Sequence, residues 1–411
     1  MLYADRIRRQ IKELGNIPEP SIDAINHSEK LYQHLADQLK DQPLPFHNVM
    51  EQLLHAPGLG YYSAGAHKIG AAGDFTTAPE ISPFFGYALA QQCAQVLAKS
   101  GGSILEFGAG LGTLAKNILK QLQAENCLPD NYFIVEISAD LRQRQQQMLQ
   151  QQIPELYSKI IWLDQLPEDG FKGVILANEV IDAMPVHLFR MNGSCAHEVN
   201  VAIDDAGELV LQETGVPSLS PALANWFERE EIKKLPFADG CVDGYTSEVN
   251  LAMESWITAL AKCLDQGLIL LLDYGYPRHE YYLPERSQGT LICHYRHHSH
   301  DQVLSLLGLQ DITAHVDFTA VAESAYDAGL SVTGYTNQAS FLTGCGILQM
   351  AEQAADGDLD KQMRLAQQIR TLIMPEEMGE IFKVIALTKN LPLELSSHLM
   401  GFAFSDQRHH L

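Results

Sequence analysis

The apolar positions of the chain change period partway along it. Between Ser21 and about His55, the segments SIDAINHSEKLYQHLADQL and FHNVMEQLLHA place apolar side chains three and four residues apart, which predicts two amphipathic helices. A turn-rich stretch follows, APGLGYYSAGAHKIGAAGDFTTAPEISPFFG, and a loop of that length with so many aromatics suits a functional role. From Pro83 the pattern alternates. FFGYALAQQCAQVLAKS reads as a helix, SILEFGAG as a strand into a glycine loop, and GTLAKNILKQLQAE as a helix. NYFIVEIS is the next strand, LRQRQQQMLQQQI a helix whose Gln-rich patch reads as its polar face, and GVILANEVIDAMP a buried strand. Strands alternating with helices predict βαβ units and a parallel sheet.

Further on, HEVNVAIDDAGELVLQE predicts a hairpin turning at Asp204 to Gly207, SEVNLAMESWITALAKCL a helix and GLILLLDYGY a buried strand. DFTAVAESAYDAG then reads as a helix, LSVTGYT as a strand, and EEMGEIFKVIALTK as a turn into a final strand. The expected architecture is one doubly wound α/β core over 83–411, behind an N-terminal helical cap over 1–82. Insertions are expected near 190–245 and at 338–378, the latter helical.

Charge narrows the partners. The chain of 411 residues carries 28 basic and 51 acidic residues, a formal charge of -23. Such a surface repels phosphate backbones and anionic lipid and attracts cations, so neither nucleic acid nor a membrane is an expected partner. The seven cysteines show no C-x-x-C spacing, which argues against a disulfide framework or a zinc ribbon and for reduced thiols. MLYADRIRRQIKELG lacks the apolar centre of a secretory signal, and Asp5 and Glu13 are foreign to a transit peptide. The longest apolar run, Leu268 to Leu272, is too short to span a bilayer. These signs point to a soluble, cytoplasmic protein. His294, His297, His298 and His300 cluster in HYRHHSH, but without Cys or Glu at zinc spacing, and no metal is expected.

The strongest chemical signal is Glu106-Phe107-Gly108-Ala109-Gly110-Leu111-Gly112-Thr113 at the end of the first core strand. Three glycines allow a tight turn and close backbone approach to a ligand. A dinucleotide fingerprint would place glycine at 113, where Thr113 stands, and a carboxylate at 106 suits a pyrophosphate poorly. It suits an ammonium well, and E-x-G-x-G-x-G is the S-adenosyl-L-methionine loop pattern. A glycine turn serving packing alone is the competing reading. Glu136 ends the next strand, where an acidic side chain can accept both ribose hydroxyls of an adenosine. Asp164 stands where the third strand should end, near an adenine. Asn178, Glu179 and Asp182 leave the fourth strand together and can orient a donor nitrogen; as alternatives they cap a helix or face solvent. Asp273, with Tyr274 and Tyr276, adds a carboxylate and phenols at the end of another buried strand.

In these segments the chain resembles the MidA-type methyltransferases, which include the mitochondrial protein-arginine methyltransferase that assists assembly of respiratory complex I and its bacterial relatives. The resemblance rests on GYYS, KIGAAGDFTTAPEISPFFG, LEFGAGLGTLAKNIL, YFIVEISADLRQRQ, NEVIDAMPVHLF, LLLDYGY, GTLICHYRH, DITAHVDF and MGEIFKVIAL, from about Glu51 to Thr388. It implies a class I S-adenosyl-L-methionine-dependent methyltransferase: a Rossmann-like doubly wound sheet with an N-terminal helical cap and helical insertions. It also implies that the long N-terminal loop covers the cofactor, with Asp74 and Thr77 at its methionine end, a role less defined for Tyr61, Tyr62 and Lys68; the residues alone suit a packed Ω-loop equally well. His315 and Asp317 are implied on the substrate side, or as a helix cap.

The expected reaction is methyl transfer from S-adenosyl-L-methionine to an arginine of a protein substrate. Glu179, Asp182 and Asp273 would hold the guanidinium. Asp74, Thr77, Glu106, Gly108, Gly110, Gly112, Glu136, Asp164 and Asn178 would hold the cofactor. A small-molecule N- or O-methyltransferase and a non-catalytic assembly factor that binds the nucleoside stand as alternatives. An NAD-dependent oxidoreductase is disfavoured by Glu106 and Thr113. A homodimer is compatible with all of these.

Overall fold

The computed structural model describes residues 3–15, 17–63, 76–168, 170–213, 219–238 and 244–411. The chain divides into two compact units, an N-terminal unit of Met1–Phe75, Asp182–Met253 and Arg278–His315, and a core unit of Thr76–Ile181, Glu254–Pro277 and Val316–Leu411.

The core unit is built on an eight-stranded sheet. Seven of its strands, in chain order, are β1 (Ser103–Phe107), β2 (Tyr132–Val135), β3 (Ile160–Leu163), β4 (Phe171–Asn178), β5 (Leu264–Tyr276), β6 (Ser331–Asn337) and β7 (Phe382–Lys389). Their order across the sheet is β6-β7-β5-β4-β1-β2-β3. From β3 to β5 all neighbours are parallel, whereas β7 runs antiparallel to both β5 and β6. The short eighth strand, Val316–Asp317, pairs with the end of β5. Three helices flank β1 and β2 in the chain: α1 (Pro83–Ser100), α2 (Thr113–Ala124) and α3 (Ala139–Gln152).

These elements follow from local chemistry. α1 starts at Pro83, a residue whose missing N–H costs nothing in a first turn, with the Ser82 hydroxyl accepting from the Phe84 N–H at 3.4 Å. It ends at Gly101, held at φ +62°. β4 and β5 are apolar on both faces because the parallel centre of the sheet is covered on both sides; Val174, Leu176, Leu268, Leu270 and Leu272 share one buried cluster with Phe85, Leu89, Cys93 and Ile118. At the base of the sheet a close approach requires glycine: a β-carbon on Gly173 would lie 2.0 Å from the Ser103 carbonyl oxygen, and one on Gly267 1.9 Å from that of Gly173. The stretch 338–378, expected to be helical, supplies helices Gln338–Gly344, Ile347–Ala355 and Leu359–Ile373.

The N-terminal unit departs from the expected boundaries. The segment expected as an insertion near 190–245 belongs with the N-terminal helices, and the division near residue 82 falls at Phe75 and Thr76. Long-range pairing is the cause. Leu44 and Pro45 pair with Val201 and Asn200, and Leu31, Phe46, Val49 and Leu53 bury together with Val186, Val199, Val201 and Ile312. The predicted hairpin forms from Cys195–Ile203 and Leu209–Glu213, its turn fixed by the Asp204 carboxylate, which accepts from the N–H groups of Ala206 and Glu208. HYRHHSH is also a hairpin, Ile292–Tyr295 against His298–His300, with Arg296 and His297 at φ +45° and +61° in the turn. His47, His187 and Glu198 bring ligand-type atoms within 4.8 Å of one another; His187 Nδ1 meets Glu198 Oε1 at 2.9 Å, and the His47 and His187 rings stack.

Candidate active site

The chain leaves β1 towards β2 and β3 on one side of the sheet and returns to β4 and β5 on the other. That reversal opens a crevice at the carboxyl ends of β1 and β4. The loop after β1 turns on Gly108, Gly110 and Gly112 at φ +60°, +53° and +83°, the left-handed region that side chains rarely adopt. Gly112 is also the N-cap of α2, so the unsatisfied N–H groups and positive end of that helix follow the loop directly.

Glu106, in β1, is 2% exposed. The Tyr132 hydroxyl of β2 donates to its Oε2 at 2.7 Å. Among the described residues it has no cation partner. Burial, reinforced by the field of Glu136, raises its pKa from 4.5 to about 8. The carboxyl is therefore held largely in its neutral form at pH 7, and a positively charged ligand would draw it back to the anion.

Glu136, just past β2, is also buried. Its Oε1 accepts from the Ser138 N–H at 2.8 Å and its Oε2 from the Gln145 amide at 2.9 Å. Burial pushes its pKa up while these donors pull it down. The next residue, Ile137, is 75% exposed, an apolar surface beside a carboxylate. Asp164, just past β3, has a side chain 87% exposed and ion-paired with Arg142 of α3.

At the exit of β4, the Asn178 amide donates to Glu179 Oε1 at 3.0 Å. Glu179 itself sits at φ +53°, a strained conformation for a residue with a β-carbon. Its N–H donates to the Leu272 carbonyl of β5 at 2.9 Å. Asp273, expected as a guanidinium holder, is 1% exposed. Its Oδ2 accepts from the Ile181 N–H at 3.0 Å and its Oδ1 from the Tyr274 N–H at 2.9 Å. This carboxylate clamps the loop that carries Glu179 to the end of β5.

The carboxyl ends of β1, β2, β4 and β5 thus gather Glu106, Gly108, Gly110, Gly112, Glu136, Asn178, Glu179 and Asp273 within the core unit. Asp182 falls in the N-terminal unit, where its carbonyl accepts from the Ala314 N–H at 2.9 Å. There it and Asp311 push the Tyr62 phenol above its ordinary range, behind the dominant effect of burial, and the Tyr62 hydroxyl donates to Asp311 at 2.9 Å. Thr77 is the N-cap of the short helix Ala78–Ile81, without a side-chain bond to it. Asp317 caps helix Phe318–Asp327 by accepting from the Ala320 N–H. His315 is half-buried and pushed down to about 4, mainly by burial. Asp74, with Lys68, lies outside the described residues.

Sequence reasoning missed three residues. Tyr132 holds Glu106, while Gln145 and Trp162 stand behind Glu136. Gln145 corrects the reading of its patch as a polar face, because it is 0% exposed. The available signal was its spacing from Leu141, Met148 and Leu149 on one helix face.

A mostly parallel sheet with β7 reversed, a glycine loop at the switch point and buried acids at the neighbouring strand ends define a class I methyltransferase fold with an adenosine-type site. A sequence model of S-adenosyl-L-methionine-dependent methyltransferases matches residues 88–336, and the chain belongs to that family. It is 29% identical over 400 residues to the zebrafish (Danio rerio) mitochondrial protein arginine methyltransferase NDUFAF7, covering 89% of this chain and 88% of that protein. The human counterpart is 28% identical over 413 residues, with 92% and 87% covered. Among solved structures, a protein from Burkholderia thailandensis bound to S-adenosyl-homocysteine superposes with a TM-score of 0.89 at 39% identity, covering 96% of this chain and 100% of that one.

The site's described residues are compatible with the family's cofactor: a buried carboxyl with no cation partner among them, a glycine turn at a helix start, and a second carboxylate anchored by the Ser138 N–H and the Gln145 amide. Gly110→Val, which forces a β-branched residue to φ +53°, is expected to leave the protein folded and to weaken S-adenosyl-homocysteine binding by calorimetry at least about 100-fold. Wild-type affinity in that variant would refute the assignment of the loop.

Proposed function

We propose that this S-adenosyl-L-methionine-dependent methyltransferase methylates arginine in a protein substrate. When bound, the cofactor supplies an activated methyl group on a sulfonium, and the chain's own residues bind and aim. Glu106 offers a buried carboxyl to positive charge, and Glu136 offers an anchored carboxylate to the ribose. The acceptor must be presented as an oriented nucleophile. A guanidinium is delocalised and always protonated, so it needs carboxylates that localise its charge and free one nitrogen. The observation that carries this reading is Glu179: a carboxylate held by Asn178 in a strained turn at the exit of β4, one residue from the sheet and clamped from below by Asp273. Similarity to proteins named as arginine methyltransferases over about nine-tenths of the chain supports the same acceptor. The excess of acidic residues supports a cationic segment as substrate.

Transfer of radiolabelled methyl from the cofactor into a host lysate tests the proposal. Label recovered in methylated arginine of protein is expected. Label confined to the small-molecule fraction would identify a small-molecule methyltransferase instead, and absence of label despite cofactor binding would identify a non-catalytic binder. We also propose a cytoplasmic setting. The support is that Cys93, Cys127, Cys195, Cys263, Cys293 and Cys345 are all free, as a reducing compartment would leave them. No helix among the described residues is long and apolar enough to cross a membrane.

A further inference from the structure

Gln145 occupies an unusual place for an amide. Gln143, Gln147 and Gln150 of the same helix are exposed, yet Gln145 is 0% exposed. A buried amide must find partners for an acceptor oxygen and two N–H donors. It finds all of them. The Trp162 indole Nε1 donates to Gln145 Oε1 at 2.9 Å, Gln145 Nε2 donates to Glu136 Oε2 at 2.9 Å, and the same Nε2 donates to the Gly110 carbonyl oxygen at 3.0 Å.

The direction of this network is fixed by chemistry. An indole N–H only donates, so it must meet the amide oxygen, and the other end of the amide must be the NH2 group. Both acceptors of that NH2 belong to the cofactor site: one is the carboxylate after β2, the other the central glycine of the loop after β1. Ser138 N–H holds the second carboxylate oxygen. Glu136 is therefore anchored at both oxygens from the protein side and keeps its remaining lone pairs for a ligand. The glycine loop is tied to the same amide.

We infer that Gln145, oriented by Trp162, is a positioning residue that sets the glycine loop and the Glu136 carboxylate in register for the ribose of the cofactor. The inference rests on the cofactor site described above, with Glu136 as its ribose-holding residue. In this arrangement Gln145 acts through Glu136 and touches no reacting atom. Its removal leaves the carboxylate free to rotate and two acceptors without their donor.

The test is a double-mutant cycle read by calorimetric titration with S-adenosyl-homocysteine, alongside thermal unfolding of each protein. Gln145→Leu is expected to weaken binding about tenfold or more in the wild-type background and only about threefold in the Glu136→Ala background, where the carboxylate it positions is gone and its tie to the Gly110 carbonyl alone remains. Trp162→Phe, which keeps an aromatic ring and removes only the indole donor, is expected to show the same dependence on Glu136 and serves if Gln145→Leu does not fold. Equal losses in both backgrounds would reduce Gln145 to a structural staple and overturn the inference. Unchanged affinity in Gln145→Leu would overturn it as well. Failure of the wild-type protein to bind S-adenosyl-homocysteine would instead overturn the reading of the cofactor site, and this inference with it.

Discussion

Glu106→Gln is expected to make the protein more stable in alkaline solution while weakening its hold on the cofactor. The wild-type carboxyl has its pKa raised from 4.5 to about 8 by burial. The folded state therefore binds this proton more tightly than the unfolded state, and stability falls as pH rises through that window. Below 4.5 both states are protonated and the penalty is absent; above about 8 it is complete. At about 1.4 kcal/mol per unit, the stability difference between variant and wild type should grow by about 4 kcal/mol from pH ~4.5 to pH ~8.5. Relief of the repulsion with Glu136 is included in that difference, since the Glu136 carboxylate adds to the upward shift that burial causes. Denaturant unfolding at several pH values measures it, and parallel curves for the two proteins would contradict it. The same substitution removes the only charge that the first strand offers a cationic ligand, so affinity for S-adenosyl-L-methionine should fall by about 100-fold. On the proposed reading of the site, Glu106 is a stability–function trade-off located in one side chain.

The second large effect is expected at Glu179, and here two substitutions separate strain from chemistry. Glu179→Gln keeps the shape and the strained turn but loses the charge. Methyl transfer should slow by about 100- to 1,000-fold, with cofactor affinity within about threefold of wild type. Glu179→Gly should lose transfer to the same extent and gain about 1 kcal/mol of stability, because glycine accepts φ +53° without crowding. Steady-state rates with a labelled cofactor, read beside unfolding midpoints, check both. A Gln variant that transfers at wild-type rate would remove Glu179 from the handling of the acceptor.

What the chain disclosed in advance follows the range of the interactions involved. The glycine loop, Glu106 and Glu136 were legible because a strand end, a turn and a helix start are adjacent in sequence, and their residue types are set by local backbone needs. The alternation of strands and helices predicted the parallel sheet for the same reason. The reversal of β7 was not legible, because an apolar strand looks alike in either direction and its pairing with β5 is decided by packing. The composition of the N-terminal unit was hidden by distance: nothing in the residues around Leu44 announces Val201 as a partner. Gln145 was hidden by its neighbours, since a glutamine among glutamines reads as solvated until the Trp162 indole and the Glu136 carboxylate are placed against it. Asp273 was seen as a carboxylate near the rim, but its engagement with the N–H groups of Ile181 and Tyr274 depends on how two strand ends meet.

The position of β7 bears on how the protein is made. It lies between β5 and β6 in the sheet yet is the last of the three to leave the ribosome. While synthesis proceeds, β5 waits with one side unpaired, an open row of backbone donors and acceptors along Leu268–Leu272, and such an edge recruits other chains. Among the described strands, β6 has no pairing partner until Phe382–Lys389 arrives. The nascent core unit thus carries a long apolar strand half-paired for more than 100 residues of synthesis, from Tyr276 to Phe382. Its yield in cells should depend on chaperone capacity and growth temperature more than the stability of the finished fold would suggest.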